Sequence, residues 1–230
     1  MDTSPTYRRT SRTAGVIGLA LLALVFVQTG GPFFTDASHG EIVGWVRRHP
    51  TALYLEGLRT WVMILLVAAF IATLLWRTGR RGLAVPVVYG FLTANLAVDM
   101  VWAGAYYGLA RAGQMHAPSG GLLTLFAVVQ ELTFTDGIWF GAALLVVSVL
   151  ALRTRALPRP IAWLGVLCAL VHVLGLPVQL ALTGTVEGVS GPVSAVSFVF
   201  WVLATTVTLL VRPGRAPEPA DAARAEVAAA

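Results

Sequence analysis

Six stretches of this chain, each long enough to cross a bilayer as a helix, carry almost no charge, and this limits the possible folds more than any other feature. In hydrocarbon every backbone N–H and C=O must find a partner within the protein, so only helices and closed barrels can span. A barrel would alternate apolar and polar residues over segments of about ten residues. Here the apolar runs are continuous and about 20 residues long, as a spanning helix requires. Only 12% of the residues are charged, against about 25% in a soluble domain. The expected fold is therefore all-α, a polytopic transmembrane bundle.

The spans are expected at 14–34, 52–76, 84–110, 121–152, 159–182 and 192–211, with a short segment 1–13 before them and a tail 212–230 after them. The tail is rich in alanine and proline and reads as disordered. All 16 basic residues are arginine. Arg8, Arg9 and Arg12 precede the first span; Arg77, Arg80 and Arg81 follow the second, Arg153, Arg155 and Arg159 the fourth, and Arg212 and Arg215 the sixth. The other side has Arg47, Arg48 and Arg111. Arginine bias then puts both termini in the cytoplasm of a bacterial cell, with the spans in its inner membrane. The net charge of +5 is explained by these topology signals, and nucleic acid is not an expected partner. Arginines followed by an apolar run also describe a secretory signal peptide, but no small-residue cleavage site follows, so the first span is expected to be uncleaved.

Between the first two spans, Ile42, Trp45, Val46 and His49 recur at helical spacing and Pro50 ends the run. This predicts a short amphipathic helix over 39–49, lying on the outer surface with Trp45 at headgroup level. A lid over an outward-facing cavity is the alternative.

Ionisable groups inside spans are expensive, and they usually mark a functional interior. In the third span Asn95, Asp99, Trp102 and Tyr106 share one helix face. The fourth carries Glu131 and Asp136, with Phe134 and Trp139 nearby; Asp136 stands one turn from Trp139. In the fifth, Cys168, His172, Gly175 and Gln179 form a stripe, and Pro177 should kink the helix. Counting about 1.5 Å per residue, Glu131, His172 and Asp99 come to a similar depth, roughly 15 Å below the outer surface. Glu56 and Arg59 stand one turn apart and can pair; Arg59 could also lend its charge to the same cavity. Each group also has a plain packing role open to it, since side-chain hydrogen bonds hold membrane helices together.

The stretch Ala151-Leu152-Arg153-Thr154-Arg155-Ala156-Leu157-Pro158-Arg159-Pro160-Ile161-Ala162-Trp163-Leu164-Gly165, with Phe200-Trp201-Val202-Leu203-Ala204-Thr205 further on, resembles a group of small six-span bacterial membrane proteins. The shared pattern is an arginine- and proline-containing turn before the fifth span and an aromatic-Trp start to the last. The resemblance covers about half the chain, implies the six-span fold and transfers no catalytic residue.

Three functions remain open. The first is an intramembrane enzyme of membrane terpene cyclase or isomerase type, acting on a lipophilic, isoprenoid-like substrate. Asp99 or Glu131 would donate a proton to an alkene or epoxide, and Asp136 or His172 would take one up. Asn95, Trp102, Tyr106, Phe134, Trp139, Glu56, Arg59 and Gln179 would line the substrate site, the aromatic faces steadying a cation. No cofactor and no metal ligand set is expected: paired-histidine, Gly-rich phosphate-loop and GxSxG patterns are missing from the sequence, and the single cysteine rules out a thiolate cluster within one chain. The second function is a proton-coupled carrier for small solutes, and the third a non-catalytic accessory protein. The partners expected are the bilayer and a lipophilic small molecule, with a second copy of the chain left open.

Overall fold

A computed structural model describes residues 5–27, 37–79, 82–183 and 190–211; within its helices the side chains at 5–7, 133–136, 179, 183 and 190–191 lie outside that description. The tail 212–230 also falls outside it. Seven helices make up the described chain: α1 (Pro5–Phe26), α2 (His39–Arg48), α3 (Pro50–Arg77), α4 (Ala84–Gln114), α5 (Ser119–Thr154), α6 (Arg159–Thr183) and α7 (Ser190–Val211). All but α2 are long and apolar enough to cross a membrane. The chain is a multi-pass membrane protein built as an all-α bundle.

The breaks between helices have local causes. Pro50 opens α3, where its missing N–H would have had no helical partner. Gly79, at φ 63°, follows the end of α3 and donates its N–H to the Trp76 carbonyl. His116, at φ 54°, turns the chain between α4 and α5, and Arg155, at φ 55°, ends α5. Pro177 interrupts no helix; α6 runs through it to Thr183. The first helix starts nine residues before the expected span, because the arginine-bearing segment 8–13 is itself helical. An apolar run marks where a helix can be buried in lipid, not where it begins. For the same reason α4 continues to Gln114 and α5 to Thr154.

Each spanning helix packs on the next in sequence, and α1 packs on both α3 and α7, so the six close into a ring. Helix α5 also reaches α3 and α7 through the middle. The core has two parts. One holds Leu53, Trp102, Tyr106, Phe126 and Val129 under Ile42, Val43 and Val46 of α2. The other gathers Phe70, Phe140, Trp201 and their neighbours toward the opposite end. Edge-on ring contacts join Phe70 to Trp201 (5.6 Å) and Phe140 to Phe198 (5.4 Å), a geometry that favours the quadrupoles of both rings. Met63 touches both clusters.

Helix α2 does not simply float on the bundle. Its start is fixed by a capping box: the Glu41 N–H donates to Ser38 Oγ, while Ser38 N and Oγ donate to the Glu41 carboxylate at 2.8 and 2.7 Å. Its apolar face is buried in protein rather than turned to headgroups, and Arg47 donates to the Ala117 carbonyl at 3.1 Å. Trp45 stacks on His49 at 5.1 Å. The docking point is Gly113 of α4: a Cβ there would stand 2.9 Å from the Val46 carbonyl oxygen. Backbone cannot yield as a side chain can. Gly113→Ala should therefore cost about 1–3 kcal/mol and raise hydrogen exchange across 39–48, with the spans unaffected; unchanged protection of α2 would show that the contact is not tight.

The Ser38 hydroxyl and backbone N–H hold the exposed Glu41 carboxyl below its ordinary value of 4.5. A depressed carboxyl stabilises the fold above its unfolded value, and that contribution fades as pH falls through the folded one. Protection factors in α2 should thus be constant above about pH 4.5 and drop in stronger acid. Glu41→Gln should show the lowered level at every pH, and a flat wild-type profile would deny the capping box this role.

Candidate functional site

Asn95, Asp99, Trp102 and Tyr106 lie one above another along α4, and all four are buried. Asp99 is 1% exposed, an unusual state for a carboxyl in an apolar helix. The Asn95 amide donates to one of its oxygens, as the i, i+4 spacing allows. Trp102 and Tyr106 continue the stripe, their rings 5.9 Å apart, and pack with Leu53 of α3 and Phe126 and Val129 of α5. The stripe thus lies where three helices meet.

The facing side is set by Gly57 of α3, where a Cβ would lie 3.2 Å from both the Ala103 carbonyl and the Tyr107 ring. In the antiparallel register this gives, Glu56 falls opposite Tyr106 and Thr60 opposite Trp102. Glu56 and Thr60 are both buried. Arg59 donates to Glu56 through Nε at 2.9 Å and again through Nη2, while its Nη1 reaches the Leu24 carbonyl of α1 at 3.2 Å. The Tyr106 phenol lies within electrostatic reach of both charges of this pair. Nearer α2, Tyr54 donates to Gln114 at 3.3 Å and its ring meets that of Tyr107 at 5.8 Å.

The other acid–base residues are placed differently. Glu131 is exposed on the surface of α5, at about the level of Asp99 but off the buried stripe. His172 lies between α5 and α6, against Gly137 and Gly141, and its ring meets Phe140 edge-on at 5.1 Å. Gly137 and Gly141 are six and ten residues beyond Glu131, which separates the two levels by roughly 9–15 Å along the helix. Helices α4 and α6 do not pack on each other, so α5 stands between Asp99 and His172. His172 Nδ1 is 2.8 Å from the Cys168 carbonyl, to which it can donate, and Ser197 of α7 donates to Cys168 Sγ at 3.5 Å. Trp139 is partly exposed and meets Phe91, 6.4 Å away, rather than the stripe. The side chains of Phe134, Asp136 and Gln179 lie outside the described residues.

One cavity collecting Asp99, Glu131 and His172 is therefore not the arrangement found. What the fold brings together is the α4 stripe and the Glu56–Arg59 pair, with Thr60 buried on the same face of α3 as Glu56. Thr60 was not among the expected residues, although its i+4 spacing from Glu56 places both on one face of α3. Among the described residues no three of His, Cys, Asp and Glu stand close enough to share a metal ion. Chemically, the arrangement offers a buried carboxyl, a neutral amide that donates to it, and two aromatic rings further along the same helix face.

Comparison with protein-family models, with curated proteins and with solved structures found no match. Fold and site together define a multi-pass, all-helical membrane protein with buried polar groups between α3 and α4.

Proposed function

We propose that the protein is an intramembrane enzyme of cyclase or isomerase type that moves a proton on a lipophilic, isoprenoid-like substrate, with Asp99 as its catalytic acid. The observation that carries this reading is the burial of Asp99 beside Asn95, Trp102 and Tyr106 within an apolar span. The protonated carboxyl gives its proton to a substrate alkene, and a carbocation forms. The carboxylate left behind takes a proton from a neighbouring carbon, and a new double bond closes the cycle. Proton and charge balance on a single residue, so the reading requires neither Glu131 nor His172 beside Asp99. Trp102 and Tyr106 turn electron-rich faces toward the cation. Asn95 orients the carboxyl as a positioning residue, and a lipid-soluble substrate enters from the bilayer. The setting that fits is a bacterial inner membrane with both termini in the cytoplasm, the side favoured by arginine bias.

The test uses membranes containing the full chain, supplied with prenylated candidates in heavy water. Wild type should return a rearranged product, with deuterium at the protonated carbon in proportion to how far the Asp99 carboxyl exchanges with solvent between turnovers, and Asp99→Asn should return unreacted substrate. Proton flux across liposomes without any conversion would replace the enzyme by a proton-coupled carrier, which places acids at similar depths. Equal conversion by Asp99→Asn would remove Asp99 from the chemistry.

A further inference from the structure

The end of the bundle opposite α2 contains an arrangement of charge that the proposed chemistry does not use. Arg77, the last residue of α3, is 2% exposed. Its guanidinium donates to Ser11 Oγ of α1 and, at 3.3 Å, to the Ala156 carbonyl in the turn between α5 and α6. One buried cation thus ties together three segments distant in sequence. Two of them bring further arginines: Arg8 and Arg12 stand near Ser11 on α1, and Arg153, Arg155 and Arg159 near Ala156 in sequence. All five are exposed. Arg155 holds a left-handed backbone, φ 55°, where glycine or asparagine usually ends a helix.

Among the described residues no Asp or Glu occurs in α1, at 57–98, at 137–183 or in α7. Exposed tryptophans stand beside the arginines: Trp76 precedes Arg77, and Trp163 is one turn from Arg159. Tryptophan in that position marks the headgroup level of a bilayer, and Leu83, 80% exposed, adds apolar surface there. Topology signalling explains a surplus of arginine near this end. It does not require that arginine-bearing segments of α1 and of the α5–α6 turn be tied together by a buried third arginine.

We propose that this end is a binding site for the phosphate of an anionic glycerophospholipid, held between the exposed arginines of α1 and those of the α5–α6 turn. Guanidinium groups match phosphate oxygens two at a time, which a lysine ammonium cannot do. Acyl chains would continue down the apolar faces of the adjoining helices. A lipid is favoured over a soluble phosphate because the arginines and tryptophans occupy the same level of an otherwise apolar bundle.

The experiment places the full-length protein in nanodiscs of mixed phosphatidylglycerol and phosphatidylcholine and measures, by native mass spectrometry, which lipids stay bound on release. Wild type should retain phosphatidylglycerol in clear excess, and high salt should weaken that preference. Replacing Arg153, Arg155 and Arg159 together by glutamine should lower the excess by about fivefold or more. Arg8→Gln with Arg12→Gln should lower it as well, giving an independent check if the triple variant folds poorly. Arg47→Gln with Arg48→Gln, at the other end, should leave it intact. Undiminished preference in both arginine variants would overturn the proposal. Displacement of the lipid by millimolar inorganic phosphate would also overturn it, by assigning the site to a soluble anion.

Discussion

Removing either partner of the Glu56–Arg59 pair should destabilise the protein by about 3–5 kcal/mol, because the charge left behind remains buried without its counter-ion. The Arg59 and Glu56 side chains are only 16% and 10% exposed, and Arg59 also holds the Leu24 carbonyl of α1. The expected cycle is asymmetric. Glu56→Leu and Arg59→Leu should each be severe. The double variant should recover most of the loss, since two apolar side chains suit this surrounding without desolvation cost. Reversible unfolding in mixed detergent micelles measures all four proteins. Two mild single effects that add would mean that water reaches the pair, and that it contributes little to joining α1 and α3.

The second large effect concerns turnover. Asp99→Asn keeps the shape of the side chain and can still hydrogen-bond to Asn95, so the fold should survive. The proton donor is lost, and general acid catalysis typically contributes about 10²–10⁴-fold; a drop of that order is expected. Asn95→Leu should give an intermediate loss that Asn95→Gln partly restores, as befits a residue that positions another. Glu131→Gln and His172→Ala should leave turnover within about twofold of wild type, because both lie outside the α4 stripe; general catalysts, by contrast, are worth at least about a hundredfold. Equal losses in Asp99→Asn and His172→Ala would require a site on both sides of α5, contrary to the packing.

The sequence made some of this legible. Six apolar runs define six helices because lipid leaves the backbone few alternatives. The stripe from Asn95 to Tyr106 could be read from its spacing, since a helix of about 3.6 residues per turn puts those positions on one face. The partner of each face could not. Helix α5 is apolar nearly all round, so nothing local indicates that Glu131 turns outward while Val129 turns in. Depth counted from span ends also failed for His172, because its level is set by the contact of its helix with Gly137 and Gly141 rather than by a distance from the surface. In α2 the periodicity of Ile42, Trp45, Val46 and His49 marks one side of the helix, but only the burial of Ile42, Val43 and Val46 and the contact with Gly113 show that protein, not headgroups, covers it. The Glu56–Arg59 pair was foreseeable from spacing, and its bond to Leu24 was not, because α1 and α3 meet only in the folded ring.

Mass-spectrometric profiling of apolar lipids from cells expressing wild type, Asp99→Asn or Glu131→Gln at equal levels bears most directly on the role of Asp99. Wild type and Glu131→Gln should accumulate the same rearranged lipophilic product and deplete the same precursor, while Asp99→Asn should match cells without the protein. Identical profiles from wild type and Asp99→Asn, or a product lost in Glu131→Gln alone, would contradict the assignment of the chemistry to the buried acid of α4.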